Sequence, residues 1–317
     1  MADLPKPDVI LVHESDLDGF LSGLLLQRLA RELFGETPRL EAWFTHAWHQ
    51  RPLSEPSAWV ADLAFAPRMD RPGWLIIDHH PVAAQPRRAR LIHDPAKSSS
   101  LLCFELCRQH RPDCVNEATE RLVRLSHVAD LYLHEEPDFD EALDYAGLLK
   151  TYSFWNLYEL LDGEPEKLLD HPLLEVVRTR RRVEDPLGLE WSRRRIEPLT
   201  PEVSFVPVVI GNGNQIVHRL LQEEAVTTPV LLTLYRQPGG VITASLRSRD
   251  GQALELAQRL QGGGHPNAAG AALPRSVRTI PQAIEYLRQA LQPPAPTAIP
   301  QAGMANLLES FDASLRS

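Results

Sequence analysis

Residues 74–80 read Trp74-Leu75-Ile76-Ile77-Asp78-His79-His80. Four apolar residues in a row describe a strand buried in a sheet, and three polar side chains follow at once. Desolvating an aspartate and two histidines together is costly unless they serve a site. Working outward, two more apolar runs end the same way. Asp8-Val9-Ile10-Leu11-Val12-His13 runs into Glu14-Ser15-Asp16-Leu17-Asp18-Gly19, and the run over 58–64 places Asp62 after Ala58-Trp59-Val60-Ala61. Helical patterns alternate with these strands: 20–34, 98–110 with serines for its N-cap, and 116–133. The alternation predicts an α/β fold, a parallel sheet with helices on both faces.

The chain has 317 residues, 43% hydrophobic and 24% charged, which suits a globular protein of two domains. From 138 to about 184 the pattern is helical throughout. Pro186, Gly188, Pro198 and Pro201 then break the periodicity, so a first domain over 1–185 and a linker over 186–200 are expected. A smaller α/β domain follows over 201–292, with two β-rich runs around Pro238-Gly239-Gly240, then a helix, a glycine-rich loop, a strand and a helix. Residues 293–317 read as a proline-rich linker and a short C-terminal helix. No apolar run is long enough to span a membrane, and the first residues lack a signal-peptide core, so a cytoplasmic protein with no membrane partner is expected. Cys103, Cys107 and Cys114 cannot pair completely, and the first two, one helical turn apart, read as a buried helix face.

The net charge of −9 argues against a protein that coats long duplex DNA. Residues 200–292 carry eight arginines against six acids, so the rest of the chain is strongly acidic. In open α/β sheets the ligand site lies beyond the carboxyl ends of the strands. Asp16, Asp18, Asp62, Asp78, His79 and His80 delivered there by three strands would converge and repel one another unless cations neutralise them. Taken singly, Asp16 and Asp18 are ordinary helix caps and Asp62 a loop residue; the combination carries the reading. Mixed Asp/His ligands suit Mn²⁺ or Mg²⁺ better than structural zinc. In the second half, Gly262-Gly263-Gly264-His265-Pro266-Asn267-Ala268-Ala269-Gly270 forms a loop whose backbone can approach an anion, or else a tight turn. It follows Arg247-Ser248-Arg249, whose arginines alternate on a strand and suit phosphate recognition.

Taken in this order, these motifs resemble the DHH phosphoesterase superfamily with its DHHA1 C-terminal domain, over roughly residues 8–290. The family includes RecJ-type exonucleases, nanoRNases, pAp phosphatases and cyclic-dinucleotide phosphodiesterases. The resemblance implies two Mn²⁺ per chain, with Mg²⁺ as the alternative. His13 and Asp16 would hold one ion, Asp18, His79 and Asp130 the other, and Asp62 would bridge them. Asp78 would orient a histidine. His80 would face the substrate phosphate, and Arg247, Arg249 and His265, with Gly262, Gly263 and Gly264, would bind substrate. Two departures stand out. Only Glu14 and Ser15 separate His13 from Asp16, which makes Glu14 an alternative ligand. The surroundings of Asp130 lack the Asp-Thr-Gly pattern of nanoRNases, which makes His127 an alternative there.

The function implied is metal-assisted hydrolysis of phosphodiester or phosphomonoester bonds in short oligonucleotides or small nucleotides. A RecJ-like exonuclease on long single strands is the alternative, with Arg178, Arg180–Arg182 and Arg193–Arg195 as its basic track. A nucleotide-binding regulatory protein with a degenerate site is the non-enzymatic one. A homodimer stays open.

Overall fold

The structure, a computed structural model, describes residues 4–292 apart from Ala83, Pro238 and the side chain of His46. The linker and helix expected over 293–317 lie outside the described residues. In chain order the elements are β1 (Val9–His13), α1 (Leu17–Phe34), β2 (Arg39–Trp43), α2 (Thr45–Gln50), β3 (Ala58–Ala61), β4 (Trp74–Asp78), β5 (Arg90–His93), α3 (Ser99–His110), α4 (Glu117–Asp130), α5 (Phe139–Tyr152), α6 (Phe154–Leu160) and α7 (Leu173–Arg193). Then come β6 (Glu197–Pro198), β7 (Val203–Phe205), α8 (Gly213–Gln222), β8 (Val230–Arg236), β9 (Ile242–Ser248), α9 (Gln252–Arg259), β10 (Gly263–His265), β11 (Ala268–Ala272) and α10 (Ile280–Ala290). The chain divides into two compact units. One holds residues up to 194 together with Val208–Ile216, and the other holds Arg195–Pro207 together with residues from 217.

The first unit is built on a five-stranded sheet, order β2-β1-β3-β4-β5, parallel throughout. Strand side chains alternate, so one face presents Ile10, Val12, Trp59, Ala61, Leu75 and Ile77 and the other Val9, Leu11, Val60, Trp74 and Ile76. The two coverings are unequal. The first face packs on residues of α1, α3, α4 and α5 in a large core. The second is closed by a smaller cluster that includes Trp48 of α2 and Met69 of a single helical turn. Because both faces are buried, the central strands read as continuous apolar runs rather than alternating ones. All three cysteines are buried as thiols.

A charged triad centred on Arg28 of α1 contributes to this unit's stability. Arg28, with its side chain 11% exposed, donates to both carboxylate oxygens of Glu166 at 2.6 Å and to Glu164 at 2.7 Å. Burial would raise the Glu166 carboxyl, but hydrogen bonds from Arg28 and Thr119 hold it down to about 2, against an ordinary 4.5. The folded value lies below the unfolded one, so this stabilisation is present above about pH 4.5 and is lost as pH falls toward 2. Glu166→Gln is expected to cost about 2–3 kcal/mol at pH 7 and much less at pH 3. Urea unfolding at the two pH values measures this, and an equal cost at both would refute the charge assignment.

Over 186–193 the structure differs from the sequence expectation. Helix α7 runs unbroken through Pro186 and Gly188 to Arg193. The glycine is there for packing: a Cβ on Gly188 would lie 2.1 Å from the Ile210 carbonyl oxygen, so the segment Val208–Ile216 lies directly on the helix. Asp185 fixes the same segment by accepting from the Asn212 N–H at 2.7 Å. Local propensity reads a proline and a glycine as a break, and tertiary packing overrides it.

The second unit is a six-stranded mixed sheet, order β10-β11-β9-β8-β7-β6, with α9 and α10 packed on its core. β8 and β9 form the expected hairpin, whose turn places Gly240 at φ +81°. The sequence reading singles out neither helix α8, although Ile216, Val217, Leu220 and Leu221 recur at helical spacing, nor strand β10. Among the described residues, no helix is long and apolar enough to cross a membrane.

Candidate metal centre

The site gathers at the carboxyl ends of β1, β3 and β4. His13 is the last residue of β1, and Asp16 is the N-cap of α1. Asp16 serves as both cap and site residue: one oxygen accepts from the Gly19 N–H at 3.0 Å and the other faces His13 Nδ1 at 2.7 Å. Asp62 follows β3 at φ +57°, a left-handed conformation that aspartate tolerates better than most residues. One Asp62 oxygen lies 3.5 Å from His13 Nδ1, and the other lies 3.6 Å from His79 Nε2. His79 Nε2 is also 3.4 Å from Asp130, the last residue of α4.

Asp18 enters from the first turn of α1 and is 1% exposed. Its two oxygens accept from the Ser99 and Ser100 N–H groups at 2.8 and 2.9 Å, with Ser126 Oγ at 3.3 Å. The serines that open α3 thus aim free helix-terminal donors at a carboxylate of the site. Asp78 holds His80 Nδ1 at 2.7 Å, and the His80 carbonyl in turn meets His93 Nε2 at 2.8 Å.

Potential metal-holding groups form three overlapping sets: His13, Asp16 and Asp62; Asp18, His79 and Asp130; and Asp62, Asp78, His79 and His80. All eight expected site residues of this unit are included. Neither alternative, Glu14 or His127, belongs to any set; His127 Nδ1 instead accepts from the Ser98 N–H at 3.2 Å. Sequence reading did not single out Ser126 or His93, which support Asp18 and His80 from α4 and β5. Serine in a helix and histidine at a strand end carry no pattern that marks such roles.

The electrostatics are those of a carboxylate cluster short of positive charge. Burial, then the charge of Asp62, pushes Asp18 up to about 6. Burial and the neighbouring Asp18 and Asp62 push Asp130 well above the carboxylate range. Burial alone would lower His13, but Asp16 and Asp62 raise it to about 11; Asp78 likewise raises His80 to about 9 against burial. Asp78 Oδ2 is buried without a hydrogen-bond partner among the described residues, and buried Asp62 Oδ2 has His13 Nδ1 only at 3.5 Å. Buried carboxylate oxygens left over beside imidazoles fit hard divalent cations such as Mn²⁺ or Mg²⁺.

In the second unit the glycine-rich stretch is not an open loop. Gly263–His265 is strand β10, paired antiparallel with β11. Cβ atoms on Gly262 and Gly264 would lie 2.1 Å from the Gly270 oxygen and 2.6 Å from the Ala268 oxygen, so these glycines admit a neighbouring strand; Gly263 faces open space. Arg247 lies in β9, opposite Ala268. Arg249 does not share its strand: β9 ends at Ser248, and Arg249 pairs with Glu224 at 3.0 Å. The turn is held by Asn267, whose side-chain oxygen accepts from the Gly251 N–H at 2.6 Å.

Comparison with known proteins extends this picture. Residues 211–292 match the DHHA1 domain family. No curated protein matches the chain. Among solved structures, a pGpG-specific phosphodiesterase, PggH of Vibrio cholerae, is similar with TM-score 0.52 and 14% identity, over 89% of this chain and 99% of that one. An exonuclease RecJ bound to manganese gives TM-score 0.55 and 15% identity over 90% and 91%. RecJ of Thermus thermophilus with Mn²⁺ gives 0.53 and 15% over 91% of this chain and 53% of that one. Residues 211–292 therefore match the DHHA1 domain family, and the chain as a whole shares its fold with these phosphodiesterase and exonuclease structures.

Proposed function

We propose that the protein is a Mn²⁺- or Mg²⁺-dependent phosphoesterase acting on short oligonucleotides or small nucleotides. The observation that carries this reading is the overlap of three ligand sets: Asp62 belongs both to the His13–Asp16 set and to the set with Asp78, His79 and His80, and His79 joins that set to Asp18 and Asp130. Divalent cations held there supply Lewis acidity toward a phosphoryl oxygen and acidify water. The chain's own residues do the rest. Asp78 fixes the half-buried His80 ring through Nδ1, and in this reading His80 is the residue that meets a substrate phosphate. Ser99 and Ser100 N–H groups hold both Asp18 oxygens in one orientation. In this reading the first unit is catalytic, and Arg247 and His265 are candidate substrate-binding residues of the second.

Short substrates are favoured over long single strands because the arginines of α7 and of its C-cap are largely spent. Arg178 and Arg181 pair with Asp144, Arg180 with Glu184, Arg182 with Glu175 and Arg194 with Glu190. A basic track needs unneutralised charge along its length. The similarity to PggH and RecJ supports phosphodiester chemistry without choosing between these lengths.

The test is Mn²⁺-dependent release of mononucleotide from a 5′-phosphorylated dinucleotide, run beside pAp and a long single strand. An Asp78→Ala, His79→Ala double variant serves as the blank. Cleavage of the short substrates alone is expected. Preference for the long strand would replace this reading with a RecJ-like one, and silence on all three with two Mn²⁺ bound would overturn the substrate class.

A further inference from the structure

Eight large hydrophobic side chains stand exposed among the described residues, and two are aromatic, Phe44 at 55% and Trp155 at 38%. Phe44 is the one placed at the carboxyl end of the parallel sheet. β2 runs in register with β1, so Trp43 is the partner of His13, and the Glu14 N–H donates to the Trp43 carbonyl at 3.1 Å. Phe44 thus lies one residue beyond the level of His13, at the edge strand of the sheet. Its backbone is held there as the N-cap of α2, at φ −68° and ψ 142°.

Its neighbour is already committed elsewhere. Trp43 Nε1 donates to Glu41 at 3.1 Å, and Arg51 covers the ring at 5.6 Å from the centroid. Trp43 packs against the smaller core, whereas Phe44, adjoining it, leaves half its surface in water. Leaving a phenylalanine ring exposed forgoes the burial that favours it in a core. Beside a cluster that suits a phosphate, such a ring matches the other half of a nucleotide, because every base offers a flat face for stacking.

We infer that Phe44 is a stacking platform for a base of the nucleotide whose phosphate meets the Asp/His cluster. This rests on the phosphoesterase reading above and deepens it: the platform would favour base-bearing phosphoesters over phosphoesters that carry no ring. Stacking is tolerant of base identity, so all four bases are expected to benefit.

Two measurements on the full chain separate the platform from the hydrolysis reading. The first compares kcat and KM for a 5′-phosphorylated dinucleotide and its abasic counterpart, in wild type, Phe44→Ala, Phe44→Leu and Phe44→Tyr. Phe44→Ala is expected to raise KM for the base-bearing substrate about tenfold and leave the abasic one unchanged, with Phe44→Tyr close to wild type and Phe44→Leu close to alanine. Equal losses on both substrates, or none on either, would overturn the platform. The second measurement needs no turnover: a dinucleotide containing 2-aminopurine is titrated with Mn²⁺-loaded protein and its fluorescence followed. Quenching by wild type and not by Phe44→Ala supports the platform even if nothing is cleaved, in which case the hydrolysis reading alone fails. Cleavage without Phe44-dependent quenching overturns the platform alone.

Discussion

Asp62→Asn is expected to abolish tight binding of divalent cations at both ligand sets together and to lower hydrolysis about 10³-fold or more. Asp62 is the residue common to the His13–Asp16 side and the His79 side of the cluster, so one substitution acts on both. Several kcal/mol of charge stabilisation is what bound metal contributes to such a reaction, and each 1.4 kcal/mol is a factor of ten. Asparagine is the informative choice because it also tolerates the left-handed backbone at φ +57°, where alanine adds strain of its own. The metal-free variant is expected to be no less stable than metal-free wild type. Its lost charge is the one that, after burial, pushes Asp18 up to about 6, so like-charge repulsion is relieved. Mn²⁺ should raise the melting temperature of wild type and leave that of the variant unmoved. Asp78→Asn, which loosens the grip on His80, should cost only about 10- to 100-fold. A variant at position 62 that still holds two Mn²⁺ per chain and works within tenfold of wild type would remove Asp62 from its shared role.

The parts of this site legible in the sequence are those whose position follows from strand direction. Val9–His13, Ala58–Ala61 and Trp74–Asp78 are buried on both faces, so each reads as an apolar run, and the polar residue that ends each run must lie at the same edge of a parallel sheet. Asp130 is different. It ends a helix separated from β4 by some fifty residues, and no periodicity brings it to His79; only the family resemblance proposed it, and the structure sets the two 3.4 Å apart. Strands β5 and β10 escape a sequence reading for related reasons. Arg90–His93 is four residues long and only half-buried, and Gly263–His265 carries two glycines that propensity assigns to loops. The error at α7 has the opposite sign. Gly188 reads as a breaker in isolation and is required by a carbonyl that no local window contains. Sequence pattern reports what a residue does for its own element, and these residues act for a neighbouring one.

Gly19→Ala extends the same argument to the largest expected loss of stability. Gly19 lies in the first turn of α1, where alanine would ordinarily favour the helix by up to about 1 kcal/mol. A Cβ there would meet the His13 carbonyl oxygen at 2.1 Å and its carbon at 2.8 Å, contacts with backbone that no rotamer change can relieve. Either the end of β1 or the start of α1 has to move, at a cost of about 3 kcal/mol or more. The same shift would pull Asp16 from His13, because the Gly19 N–H holds the Asp16 carboxylate at 3.0 Å while that carboxylate faces His13 at 2.7 Å. Stability and metal binding should therefore fall together. Gly23→Ala is the control, one turn further along the same helix. Its Cβ would meet the Leu40 Cδ1 atom at 3.1 Å, the end of a side chain that can turn aside, so helix propensity offsets the contact and the change should stay within about 1 kcal/mol. Urea unfolding and Mn²⁺ titration of the two variants decide the matter. Equal stabilities would mean that the approach of α1 to the end of β1 is loose. A destabilised Gly19→Ala protein with wild-type Mn²⁺ affinity would mean that the strand end and the carboxylates it presents are not fixed by the same contact.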